Sequence, residues 1–181
     1  AGLDIAITEP VPGAPTRPVI AVLPFDSMSW DADHQFFADG IAEDIITRLA
    51  RFPGIGVIAR NSSFQYKGEA VDVRSVAEEL GATYVLEGSV RQTQNDIRVI
   101  AQLLDASDGT HVWAETYDRD LTAGSIFEVQ DDITERVVGA IASGDSAISL
   151  AMIESAKTKA PSELASYECV LKAYEYWRVI T

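Results

Sequence analysis

The sequence predicts an α/β domain with helices on both faces of a mixed five-stranded sheet, a three-layer α/β/α arrangement. Three observations predict it. Short apolar runs rich in β-branched residues alternate with helical patterns through the first half of the chain, as in parallel β-α-β units. Two further strand-like runs then follow with nothing but turn signals between them, as in a meander. Finally, Ser125 with Glu128 forms a capping box ahead of Ile126, Val129, Ile133 and Val137, which recur at helical spacing.

In chain order, residues 1–18 hold Pro10, Pro12, Pro15 and Pro18 among small residues, and proline's fixed φ makes this an extended linker. Residues 19–23 form a continuous apolar run, the pattern of a strand covered on both faces, and Pro24 ends it. A helix is predicted after Asp33, running to about Arg51, with Phe37, Ile41, Ile45 and Leu49 on one apolar face. Pro53-Gly54 stops it, and residues 55–60 form the second strand. Asp72 caps the second helix, with Val71 and Val76 placed as a hydrophobic staple and Gly81 at its stop. Residues 83–91 are the third strand. Residues 97–104 and 111–117 are the fourth and fifth, joined through Ser107-Asp108-Gly109. Past residue 143 the character changes. Residues 147–157 are helical, and Pro161-Ser162 opens another helix with Tyr167, Leu171, Tyr174 and Trp177 on one side. The expected domains are therefore 1–18, 19–143 and 144–181.

This element order restricts the topology. Crossovers through helices are right-handed, so the first three strands should be parallel. The hairpins extend one edge, giving strand order 2-1-3-4-5 with a switch point between strands one and three. Ligands of open α/β sheets collect at such a point, beyond the strands' carboxyl ends.

Bulk properties narrow the function. The 181 residues are 47% hydrophobic and 23% charged, suited to one substantial domain with an appendage. A net charge of −14 opposes nucleic-acid binding, which needs a basic face. Unbroken apolar runs such as residues 137–142 are far too short to span a bilayer, and no basic-then-apolar leader opens the chain. The single cysteine, Cys169, suits a reducing compartment, so cytoplasmic placement is expected. A start at Ala1 and an end inside a helical pattern read as a segment of a longer protein.

Together the segments resemble the TolB-like amino-terminal domain. The matching text is Ile20-Ala21-Val22-Leu23-Pro24-Phe25, Phe37-Ala38-Asp39-Gly40 with Glu43-Asp44, and Arg60 to Gly68. Tyr84 to Arg91, Ala101-Gln102-Leu103, His111 to Glu115 and Tyr117-Asp118-Arg119 complete it, over roughly residues 19–142. The resemblance implies an anticodon-binding-domain-like fold with sheet order 2-1-3-4-5. It also implies a place in bacterial proteins between an upstream effector, a nucleotide cyclase or winged-helix regulator, and downstream tetratricopeptide repeats, whose start would lie near residue 162. The family brings no established reaction and no cofactor for this domain.

A cyclase needs paired carboxylates on metal ions. Asp39 and Glu43 share a helix face while Asp44 turns away, and the plainer reading is that they complement the helix dipole. Ser62 and Ser63 lack a nucleophile elbow, and His34 and His111 lack triad spacing; His111, next to Trp113, reads as a packing residue. P-loop, dinucleotide and metal spacings are missing from the sequence.

Two binding surfaces are expected instead. Asp26, Ser27, Arg60, Ser62, Ser63 and Arg91 fall at strand ends on one rim, where two guanidiniums and several hydroxyls would hold a small anionic ligand. The competing reading pairs Arg60 and Arg91 with Glu87 or Asp26. Trp113 and Tyr117 on the edge strand, with Tyr174 and Trp177 on the last helix, are candidates for a protein partner or self-association; the alternative buries the two strand rings under the C-terminal helices. The expected function is a non-catalytic sensory or interaction module of a signalling protein. The alternatives are a contributor to nucleotide cyclase or hydrolase activity, and a dimerisation unit.

Overall fold

The computed structural model describes residues 17–28, 32–121, 125–143 and 146–158, with Glu168, Val170 and Ala173. The chain divides into two compact units, Pro18–Ser149 and a second made of Ala1–Arg17 with Leu150–Thr181.

In the first unit the sheet takes shape from β1 (Val19–Val22), β2 (Asp26–Ser27), β3 (Gly56–Val57), β4 (Tyr84–Gln92), β5 (Asp96–Asp105) and β6 (His111–Asp120). The path is β3-β1-β4-β5-β6, with β2 pairing β4 as a continuation of β1. β1 is parallel to both neighbours, and β4, β5 and β6 are antiparallel in turn. Apart from β2, this is the order 2-1-3-4-5. The start of β1 is clamped by Thr83, whose backbone N–H and hydroxyl both donate to the Val19 carbonyl while the Val19 N–H donates to its Oγ1.

α1 (Ala32–Leu49) and α4 (Ile126–Ala142) pack on each other over one face of the sheet. Phe37, Ile41, Ile45 and Leu49 of α1 are buried, as are Val129, Ile133, Val137 and Ile141 of α4. The Ser125–Glu128 capping box holds the start of α4. By length and composition the stretch Ile126–Glu154 is apolar enough to cross a membrane, which a reading of unbroken runs misses. Within α4 Val129, Ile133, Val137 and Ile141 are buried, while Phe127 is 72% exposed.

α3 (Val73–Leu80) covers the opposite face, where Val76 and Ala77 pack on Ala21, Leu23 and Val85. Asp72 caps it by accepting the Arg74 N–H at 2.8 Å, and Gly81 ends it at φ +66°, a conformation that favours glycine. With 8 residues α3 shields β1 and the start of β4 and leaves the rest of that face uncovered. α5 (Ala147–Thr158) follows α4. Tyr174 and Trp177 lie outside the described residues.

One prediction is corrected. The second strand is two residues long, and Arg60 opens a short helix, α2 (Arg60–Ser63), continued by a single 3₁₀ turn over Phe64–Tyr66. The reason is local: Ser62 and Ser63 N–H groups both bond back to the Ala59 carbonyl, which closes a turn where a ladder would need outward pairing.

Candidate functional site

Pro24 and Phe25 set the geometry of the rim. Four steps from Val22 to Asp26 face three from Leu86 to Ser89, so one extra residue is absorbed between β1 and β2. This bulge, at a proline that has no N–H to give, reverses which side chain faces which layer. Phe25 turns into the α1–α4 core and is 3% exposed. Its ring lies on Gly88, where a Cβ would stand 2.4 Å from both the ring and the Ile100 carbonyl oxygen. Asp26, opposite Ser89, is thereby delivered to the uncovered face.

That face holds a cleft of about 270 Å³. Leu23, Pro24 and Asp26 form one side, the segment from Tyr66 through Val71 another, and Glu87, Ser89, Ile100 and Gln102 the floor. Gln102 Nε2 donates to Glu87 Oε1 at 2.6 Å.

The turn that leads into the cleft wall, residues 60–67, is tied to α1 at both ends. Arg60 Nε lies 3.0 Å from Glu43 Oε2 with its guanidinium 4.2 Å above the Phe64 ring, and Lys67 pairs with Asp39. Asp44, on the next face of α1, accepts a hydrogen bond from Gln130 of α4. Ser63 is fully buried with no partner for its hydroxyl, and Ser62 is exposed. Burial, with the Glu79 carboxylate beside it, raises the Tyr66 pKa above the ordinary phenol value.

The six rim candidates are therefore divided. Asp26 lines the cleft; Arg60, Ser62 and Ser63 belong to the clasped segment; Arg91 donates its Nε–H to Met28 Sδ at 3.0 Å and lines a separate depression with Arg98 and Asp118. The two guanidiniums do not converge, because Glu43 draws Arg60 towards α1 and β2 places Met28 beside Arg91. Neither takes the Glu87 or Asp26 partner that the competing reading gave it. Ser27 stands beside Asp26 on β2, partly buried. Sequence reasoning missed Glu69, Glu87 and Gln102 as cleft residues. Alternation along the third and fourth strands was the signal that would have put Glu87 and Gln102 on one face.

β6 is the edge strand. Tyr117 is buried, its hydroxyl donating to Glu115 Oε2 at 3.1 Å, and burial first, then the Glu115 charge, push its pKa far above the phenol range. Trp113 is half-buried, and His111 is exposed at the bulged start of the strand, not a packing residue. Arg119 joins β6 to Asp132 of α4 at 2.6 Å. Partial burial works against ionisation of Asp132, yet hydrogen bonds from Arg119 and Arg136 prevail and hold its pKa below the usual carboxylate value. Among the described residues no cluster of three or more acidic, His or Cys side chains is arranged to hold a metal ion.

Comparison with known proteins places this geometry. Residues 16–136 match the family described as HilA/YgeH-like transcriptional regulator, second domain. Over 133 residues the chain is 56% identical to a Rhizobium meliloti (strain 1021) protein named "Putative adenylate cyclase 3", covering 74% of this chain and 22% of that one. The chain thus spans about a fifth of that relative's length. Among solved structures, the PelC dodecamer from Paraburkholderia phytofirmans shares the fold at TM-score 0.50 and 17% identity, covering 70% of this chain and 89% of its own. Lipoprotein GNA1162 from Neisseria meningitidis does so at TM-score 0.50 and 20% identity, over 71% and 99%. TolB from Acinetobacter baumannii aligns at TM-score 0.46 and 20% identity, over 70% and 29%. On the family match, this chain belongs to the HilA/YgeH-like transcriptional-regulator second-domain family.

Proposed function

We propose that this domain is a non-catalytic relay and interaction module of a bacterial cytoplasmic signalling protein, coupling a cyclase-type or transcription-regulating effector to a downstream tetratricopeptide array. The observation that carries this reading is how α1 spends its carboxylates. Asp39 holds Lys67, Glu43 holds Arg60 and Asp44 takes the Gln130 amide, so each is engaged in holding the domain together. Cyclase chemistry would need such groups free to hold metal ions against a triphosphate. The cyclase-named relative supports a signalling parent, and its greater length leaves room for the effector elsewhere. The net charge of −14 fits a module that meets proteins and leaves nucleic acid to other domains.

The test has two arms. The purified chain, given ATP or GTP with Mg²⁺ or Mn²⁺, is expected to form no cyclic nucleotide and no free phosphate. Turnover abolished by Asp39→Ala or Glu43→Ala would overturn the reading. In the parent protein, deleting residues 19–143 is expected to change effector output without abolishing the effector's own chemistry.

A further inference from the structure

β6 ends the sheet on one side, and no strand among the described residues pairs with its outer edge. Past the irregularity at its start, the register with β5 is unbroken from Trp113 to Asp120. The Leu121 N–H donates to the Asn95 carbonyl at 2.7 Å, and hydrogen-bonded pairs alternate along an antiparallel ladder. Trp113, Glu115, Tyr117 and Arg119 therefore turn their backbone groups to β5, while Ala114, Thr116 and Asp118 turn theirs outward. These last three residues are all exposed. The stretch holds no proline and no bulge, two devices that commonly spoil an edge for pairing.

The charges along this edge say what would lie beside it. Arg119 donates from Nη1 to the outward-turned Asp118 carbonyl at 2.7 Å, so its guanidinium overhangs the edge while Nε and Nη2 stay with Asp132. Glu115, on the same face of the sheet, is exposed. An antiparallel copy of the strand centred on Tyr117 therefore sets Glu115 of each copy opposite Arg119 of the other. On the other face that register opposes Asp118, already held by Arg98, with Thr116, whose hydroxyl can donate to it. Copies centred on Glu115 or on Asp118 would instead set two carboxylates face to face. We propose that β6 pairs antiparallel with β6 of a second copy about a two-fold axis at Tyr117, joining two sheets into one. A two-fold contact must be self-complementary, and this strand meets that condition in its outward backbone groups and in its charges. The proposal goes beyond the interaction-module reading, which names no partner, and a monomeric chain would leave that reading standing.

The experiment is sedimentation velocity of the whole 181-residue chain, from about 10 to 500 µM in about 150 mM salt. A monomer–dimer equilibrium with a Kd of about 100 µM or tighter is expected. Amide exchange at the two ends of that range should find the Ala114, Thr116 and Asp118 N–H groups slowed in the dimer, with Val99 and Leu103 unchanged. Glu115→Arg should weaken association by about tenfold or more, and Glu115→Arg combined with Arg119→Glu should restore it. Glu115→Arg lowers the net negative charge, so simple repulsion between copies predicts the opposite. Glu78→Arg, exposed on α3, makes the same change of charge and should not weaken the dimer. Thr116→Pro removes an outward N–H and no bond to β5, so it should abolish association in a chain that still melts cooperatively. A chain monomeric at about 500 µM would overturn the proposal. So would a dimer that survives both Glu115→Arg and Thr116→Pro, or a folded double charge swap that stays monomeric. A monomer whose outward amides are slowed by an added lysine-rich strand peptide assigns the edge to a foreign partner and overturns the proposal too.

Discussion

The two faces of the β4–β5–β6 meander are built from the same strands and differ in almost every respect. On the face under α1 and α4, Leu86, Val90, Ile97, Val99, Ala101, Leu103 and Tyr117 are all buried. On the other, Glu87, Ser89, Arg91, Arg98, Ile100, Gln102 and Asp118 stand partly or fully exposed. The register places these sets on opposite sides, with Leu86 opposite Leu103 and Glu87 opposite Gln102. The closed face carries the core; the open face is covered by α3, with Tyr66 and Val71 beside it, over the β1 end. Uneven cover thus divides the sheet into a fully packed side and a partly open one.

This division is broken most strongly at Gly88. A methyl group there would meet both the Phe25 ring and the Ile100 carbonyl at 2.4 Å, so Gly88→Ala should cost about 3 kcal/mol by overpacking, measured by urea denaturation. Leu103→Ala, on the closed face, should cost a similar amount, about 3 kcal/mol, whereas Thr116→Ala on the open side of β6 should stay within about 0.5 kcal/mol. Equal costs for the last two would erase the distinction between the faces. Loosening α4 at its start is milder. Ser125→Ala removes the capping box and should lose about 1 kcal/mol.

The titration of Tyr117 reports on the closed face from the alkaline side. Its folded pKa is raised, so the stability it contributes is fully present below the unfolded value near 10 and falls away as pH rises further. Tyr117→Phe should flatten that alkaline loss in a pH series of thermal melts. The smallest effect belongs to the open face. Arg98 Nε and Nη2 donate to Asp118 Oδ1 and Oδ2 at 2.6 and 2.9 Å, and this bond holds the Asp118 pKa below its usual value. Its contribution is therefore present above about pH 4 and lost as the solution is acidified through the depressed pKa. The pair is exposed, so Asp118→Asn should barely move the melting temperature, and less at high salt.

Much of this was legible in the sequence wherever periodicity and turn chemistry act locally. The four-residue spacing of Phe37, Ile41, Ile45 and Leu49 became the buried stripe of α1, and Asp72, Gly81, Ser125 and Glu128 cap helices as their types require. The sheet order followed from crossover handedness and the two hairpins. What was hidden depends on contacts between distant residues. Nothing in the spacing of Arg60 and Lys67 says that α1 will claim both through Glu43 and Asp39. The rim expected around Arg60 and Arg91 was accordingly divided, while Asp26 reached the cleft through a bulge that Pro24 hinted at. Trp113 and Tyr117, expected either at an exposed edge or under the C-terminal helices, are half-buried and buried respectively.

The register of the sheet also sets an order of assembly. β4, β5 and β6 join through two short turns, at residues 93–95 and 106–110, and their pairing closes small loops. β1 meets β4 only after more than sixty residues have been gathered in, from Ile20 to Tyr84. Loop-closure entropy makes the near pairings early and the distant one late. The meander is then expected to form first, with β1 docking later together with β3, which pairs with β1 alone. Late docking does not make β1 easy to remove: it pairs on both sides and Ile20 and Val22 are fully buried, so amide exchange should find them protected alongside Val99 and Leu103 while the exposed edge of β6 opens first.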